Sequence, residues 1–161
     1  MTAATVTAAE VVAAARGYLG RRTQHQGRIG TFDCVGLVLA VAEDLGLVDV
    51  FGCPILRSDY ANYSPQPADA FVEQECRRRL LQTLRPVSNL SALRAALAPG
   101  EVLTLRVPTI PCHLGIVSTI LSEPAVVHAY AGADKVVEHR LDDAWLRRIS
   151  AVFGFPGVQD G

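Results

Sequence analysis

The hydrophobic period of this chain changes once, at Pro99-Gly100, and that change does most to limit its fold. Apolar residues spaced three and four apart line one side of a helix, whereas alternating ones line one face of a strand. Before Pro99 the spacing is helical. Thr7-Ala8-Ala9-Glu10 forms a capping-box pattern that opens a helix running to about residue 19, with Val11, Val12, Ala15 and Leu19 on one side. Residues 21–31 are polar and glycine-bearing and read as a loop. A second helix is predicted from Cys34 to Leu45, stopped by Gly46; it is apolar nearly all round, as a buried central helix must be. Residues 51–68 hold Pro54, Pro65 and Pro67 and read as irregular chain, followed by a predicted helix over 68–84 and a short helical turn over 91–97. Beyond Pro99-Gly100, residues 101–107, 113–121, 125–130 and 135–141 alternate as strands, with Ser122-Glu123-Pro124 as a hairpin connection. A short helix over 142–149 and a last strand over 151–155 complete the pattern. Helices first and antiparallel strands second define an α+β fold.

At 161 residues the chain corresponds to one domain, residues 1–161 with a core over about 7–157. A domain of that size buries about 70% of its unfolded surface and needs no metal or disulfide staple. Four cysteines without a C-x-x-C pair exclude a disulfide scaffold and a zinc knuckle. Fifteen Lys+Arg against sixteen Asp+Glu leave a net charge of -1, which argues against a chain built to grip nucleic acid. No segment reads as a membrane span. Residues 1–19 carry Glu10 and Arg16 without a basic region ahead of a leucine-rich core, so no secretory signal is expected. Synthesis in a cytosol is expected, with export only by another route such as assembly into a larger particle.

The chemistry-bearing residues fall at the element borders. Asp33-Cys34 lies at the start of the central helix, where unpaired amides and the macrodipole favour an anion and so a thiolate. A small apolar filler behind an ordinary Asp33 N-cap is the other reading of the same position. His113 opens one strand and His128 lies near the end of the next, and on antiparallel neighbours the two can share a face. A thiol, an imidazole and a group that orients the imidazole are the recurrent parts of nucleophilic catalysis.

Three segments in order, Asp33-Cys34-Val35-Gly36-Leu37-Val38, His113-Leu114-Gly115-Ile116-Val117 and Val127-His128-Ala129, resemble the signatures of the NlpC-type papain-like cell-wall cysteine peptidases. His25-Gln26, Tyr63-Ser64-Pro65, Pro99-Gly100-Glu101-Val102-Leu103 and Phe153-Gly154-Phe155-Pro156-Gly157 resemble the phage and gene-transfer-agent branch of that family. The resemblance covers residues 11–157. It implies a papain-like fold in which the nucleophile helix packs on a C-terminal antiparallel sheet. It also implies Cys34 as nucleophile, His113 as general base and His128 as the residue that orients His113. Peptidoglycan stem peptides become the expected substrate, tail hub and tail-tip proteins the expected partners, and no cofactor is needed. A particle-borne enzyme of this kind is incorporated in a phage-like tail and acts in the host periplasm or wall.

Asp33, Thr23 and Val35 occupy positions that the resemblance assigns to the substrate site. Two of them depart from the family pattern: Val35 stands where a small hydroxyl residue is usual, and Arg22-Thr23 where a Pro-Tyr pair is frequent. Zinc held by Cys34, His113 and His128 is a rival use of the same residue types, although paired ligand spacing is missing. A structural tail-tip adaptor or plug with a vestigial site is another, with Phe51, Tyr60 and Tyr63 as the docking segment. Cys112, next to His113, points to the opposite strand face and reads as a filler. His25 and His139 read as surface or hydrogen-bonded histidines, and Tyr130 and Asp134 as neighbours of His128. Arg77-Arg78-Arg79 and Arg147-Arg148 read as solvated helix faces or contact surfaces.

Overall fold

A computed structural model describes residues 5–23, 31–60, 70–107, 109 and 111–160. The first helix, α1 (Ala8–Arg16), begins where the capping box places it: the Thr7 hydroxyl accepts from the Glu10 amide, and the Glu10 carboxylate accepts from the Thr7 amide at 2.8 Å. The central helix, α2 (Cys34–Asp44), starts at Asp33, whose Oδ1 accepts from the Gly36 N–H at 2.6 Å. It leaves the helical path at Gly46, which adopts φ +64°. Its residues 37–42 are all buried, which explains why its sequence has no polar side.

The predicted helix over 68–84 is shorter than expected. Its expected start lies outside the described residues; α3 (Phe71–Arg79) ends at Arg79, and Leu81–Thr83 forms a strand. That strand pairs with residues 152–154, so tertiary ladder bonds outweigh the helical spacing. The polar stretch after α1 likewise contains two short strands, β1 (Arg22–Thr23) and β2 (Thr31–Phe32), paired parallel. Counting Leu81–Thr83 as β3, the chain continues through α4 (Leu90–Ala96), β4 (Val102–Arg106), β5 (Pro111–Ile120), β6 (Glu123–Tyr130), β7 (Lys135–Arg140), α5 (Asp143–Arg148) and β8 (Ile149–Gly154). The hairpin turns at Leu121-Ser122, both in the left-handed region, and Glu123 and Pro124 already belong to β6.

Among the described residues these strands form one sheet in the order β2-β1-β7-β6-β5-β4-β8-β3, antiparallel except at β1/β2. Helices lie on both faces. On one, α1, α2 and α3 cover Val102, Leu114, Ile116, Val127, Ala129, Val136 and Phe153. On the other, α4 and α5 cover Leu103, Leu105, Val117, Val126 and Val152. Strands β4, β5, β6 and β8 each supply both cores because successive side chains alternate. The mixed helix and antiparallel-sheet architecture, with the Cys34 helix packed on the sheet, agrees with the α+β expectation.

Candidate active site

Strand alternation places His113, Gly115 and Val117 of β5 on the α5 face, level with Val126, His128 and Tyr130 of β6 and with Val137 and His139 of β7. There the histidines form a line. His113 Nε2 stands 2.7 Å from His128 Nδ1, His128 Nε2 stands 2.8 Å from His139 Nε2, and His139 Nδ1 donates to the Arg140 carbonyl at 2.9 Å. His128 is completely buried. Tyr130 stacks on its ring at 5.2 Å, and the indole of Trp145 meets it edge-on at 5.1 Å. Arg148 lies over that indole, 4.9 Å from its centre. Two nitrogens on one tetrahedral zinc ion stand about 3.3 Å apart. The histidine nitrogens are closer, and they meet in pairs rather than converging on one point.

Cys34 approaches from the other face. β5 and β6 pair from Ile120↔Glu123 to Ile116↔Val127 and then part, β5 continuing against β4 and β6 against β7. The Val117 N–H and C=O face the β4 side, bonded to Glu101 and Gly100, so alternation turns those of Cys112 and Leu114 toward the gap left by β6. The Cys34 thiol fills that gap: Sγ donates to the Cys112 carbonyl at 3.8 Å, and the Leu114 and Val35 amides point at the sulfur. A helix on one face thus sets its first side chain in the gap between the parted strands, against the backbone on either side of His113.

The electrostatics differ from the sequence expectation. Burial pushes the Cys34 thiol up to about 12, the nearby Asp33 carboxylate adds to the rise, and the Leu114 and Val35 amides only partly oppose it. The expected lowering at the helix start is therefore overturned, because desolvation of a sulfur enclosed between strands outweighs the helix terminus. Burial, with Arg148 nearby, lowers His113 to about 4. Burial and the neighbouring His113 and His139 rings lower His128 to about 2. At neutral pH the Cys34 thiol and the His113 and His128 imidazoles are uncharged at rest. The thiol hydrogen bond goes to the Cys112 carbonyl rather than to the His113 ring.

Asp33 is the N-cap, and both its side chain and its carbonyl are used inside α2. Thr23 sits on β1, its N–H donating to the Asp134 carbonyl at 3.0 Å. Val35 is buried and lines a cavity of about 60 Å³ with Val38, Leu39, Phe71, Val72 and Leu114. Tyr130 is the neighbour of His128 that the sequence suggests, whereas Asp134 occupies the turn before β7. His25 and Tyr63 lie outside the described residues. Cys112 faces away from His113 and bonds the Val107 carbonyl at 3.4 Å. Arg79 is not solvated: it is buried and paired to Asp49 at 2.8 Å and Asp59 at 2.7 Å. His139 and Trp145 were not expected at the site. Placing residues 135–141 beside β6 in antiparallel register would have exposed the first, since Val126↔His139 is two pairs from His128↔Val137 and so on the same face.

No family profile and no curated protein matches the chain. A crystal structure of an N-acetylmuramoyl-L-alanine amidase from Bacteroides uniformis is similar to it, with a TM-score of 0.49 and 15% sequence identity. That similarity covers 91% of this chain and 96% of the other.

Proposed function

We propose that this chain is a cysteine peptidase that hydrolyses an amide bond in peptidoglycan stem peptides. In this reading Cys34 is the nucleophile, His113 the general base and His128 the residue that positions it. The observations that carry the reading are the 2.7 Å bond between His113 Nε2 and His128 Nδ1 and the Cys34 thiol held by the Cys112 carbonyl and the Leu114 amide, the backbone groups on either side of His113. With Nε2 as the donor in that bond, Nδ1 of His113 is left as the basic atom. The substrate class and the phage-like tail rest on the ordered motifs around Cys34, His113 and His128 and on the tail-branch segments beyond them.

Because thiol and imidazole rest uncharged, proton transfer accompanies attack instead of preceding it. Sγ adds to the amide carbon as its proton passes to His113 Nδ1, and the carbonyl oxygen becomes an oxyanion. Asp33 already takes the Gly36 and Leu37 N–H groups and the Val35 N–H points at the sulfur, so the Cys34 N–H is the helix-start donor left for that oxyanion. His113 then gives its proton to the departing nitrogen, and the C–N bond breaks to leave a thioester. Water, deprotonated by the same nitrogen, cleaves the thioester and restores the thiol.

Digestion of purified sacculi, with products identified by mass spectrometry, tests both activity and bond. Cys34→Ala is expected to lower the cleavage rate by about 10³-fold or more. Cleavage at the wild-type rate by that variant would overturn the assignment. A second reading, a structural tail-tip adaptor, draws on an exposed apolar group of Val50, Phe51 and Leu56, with Phe51 68% exposed. Particles that deliver normally with Cys34→Ala, but fail to assemble without the chain, would favour it.

A further inference from the structure

His139 is the member of the histidine line that the peptidase reading leaves without a role. Its Nδ1 faces the Arg140 carbonyl at 2.9 Å, and a carbonyl oxygen only accepts, so Nδ1 carries the proton. The neutral ring then presents a lone pair on Nε2. His128 Nε2, 2.8 Å away, must be the donor in that bond, which makes His128 Nδ1 an acceptor. His113 Nε2 donates to it across 2.7 Å, and the lone pair left over is on His113 Nδ1. One backbone carbonyl on β7 thereby decides the protonation pattern of a base two rings away.

We propose that His139 is a positioning residue that fixes the tautomers of His128 and His113 through the Arg140 carbonyl, holding His113 Nδ1 unprotonated. The role given to Nδ1 rests on the peptidase reading; the tautomer assignment does not. Without His139, the buried Nε2–H of His128 loses its acceptor between Tyr130 and Trp145. His128 then gains by carrying its proton on Nδ1 and donating to His113. That reversal obliges His113 Nε2 to accept and puts the proton on Nδ1, where a base is needed.

Long-range ¹H–¹⁵N correlation spectra of the whole chain at about pH 8.5, above the ordinary imidazole range, read each tautomer directly. The wild type is expected to show protons on His139 Nδ1, His128 Nε2 and His113 Nε2. A wild-type His139 protonated on Nε2 would overturn the proposal without any variant. His139→Leu is expected to move His113 toward the Nδ1–H form and to lower kcat on muropeptides by about 10²-fold with little change in KM. His139→Gln, whose carboxamide both accepts and donates, is expected to keep the wild-type tautomers and most of the activity. An unchanged His113 tautomer in His139→Leu would also overturn it. If the wild type cleaves no muropeptide, the peptidase reading falls, and the spectra still decide whether His139 sets the tautomers.

Discussion

On the α2 face, strands β5 to β7 present Leu114, Ile116, Val127, Ala129 and Val136 to a helix that is apolar on every side. Turned over, the same strands present His113, His128 and His139 to Trp145 and Arg148 of α5. Alternation alone accounts for both, since one residue of shift would exchange them. The first face needs only volume and apolar area, and many side-chain sets satisfy that. The second carries buried rings that must be desolvated and then hydrogen-bonded in one order, so it tolerates few substitutions. Both faces bury an apolar core, but only the second also carries the candidate site, with the Cys34 thiol held in the gap between β5 and β6.

The largest effect is expected on the α2 face. Leu37 is fully buried there, and Leu37→Ala removes apolar area and leaves a cavity. Urea denaturation should show a loss of about 2–5 kcal/mol in unfolding free energy. The imidazole tautomers of the folded variant should remain those of the wild type. A loss below about 1 kcal/mol, or altered tautomers, would break the division between the faces.

A smaller effect, specific to the histidine face, follows from protonation. His113 titrates near 4 in the folded chain against an ordinary 6.5. A depressed folded value means that the unfolded chain takes up the proton first as pH falls. The stability tied to the uncharged ring is therefore whole above about 6.5 and is lost between there and about 4. For His113 the loss is on the order of 3 kcal/mol. Denaturation midpoints measured across that window should fall, and His113→Asn should flatten the slope. The same slope in His113→Asn would assign the acid sensitivity elsewhere.

The residues that made the fold legible are those whose local chemistry has one outcome. Thr7 and Glu10 cap α1, Gly46 ends α2, and the alternation after Gly100 gives the strands, because caps, left-handed turns and period depend on near neighbours. Leu81–Thr83 was misread because its conformation is imposed by β8, some seventy positions later. At the site, the facing of His113 and His128 followed from alternation. The parting of β5 and β6 did not, since it depends on where each strand finds its other partner. That parting encloses the Cys34 sulfur and reverses the expected direction of its pKa. Arg79 was hidden for a similar reason: its partners Asp49 and Asp59 come from a segment with no periodic pattern.

The narrowest test of the two-faced sheet is a single methyl group. Gly115 lies on the histidine face, and a Cβ there would come within 2.4 Å of Val126 Cγ2 and 3.5 Å of His128 Cβ. Its backbone is not in the left-handed region, so the requirement for glycine is one of space alone. Gly115→Ala should cost about 1–3 kcal/mol as Val126 is pushed aside, and it should disturb the His113–His128 bond on the same face. Val126→Ala opens that space. The loss in the double variant should therefore be smaller than the sum of the two single losses by about 0.5 kcal/mol or more. Simple additivity would place the crowding elsewhere and detach Gly115 from the geometry of the histidines.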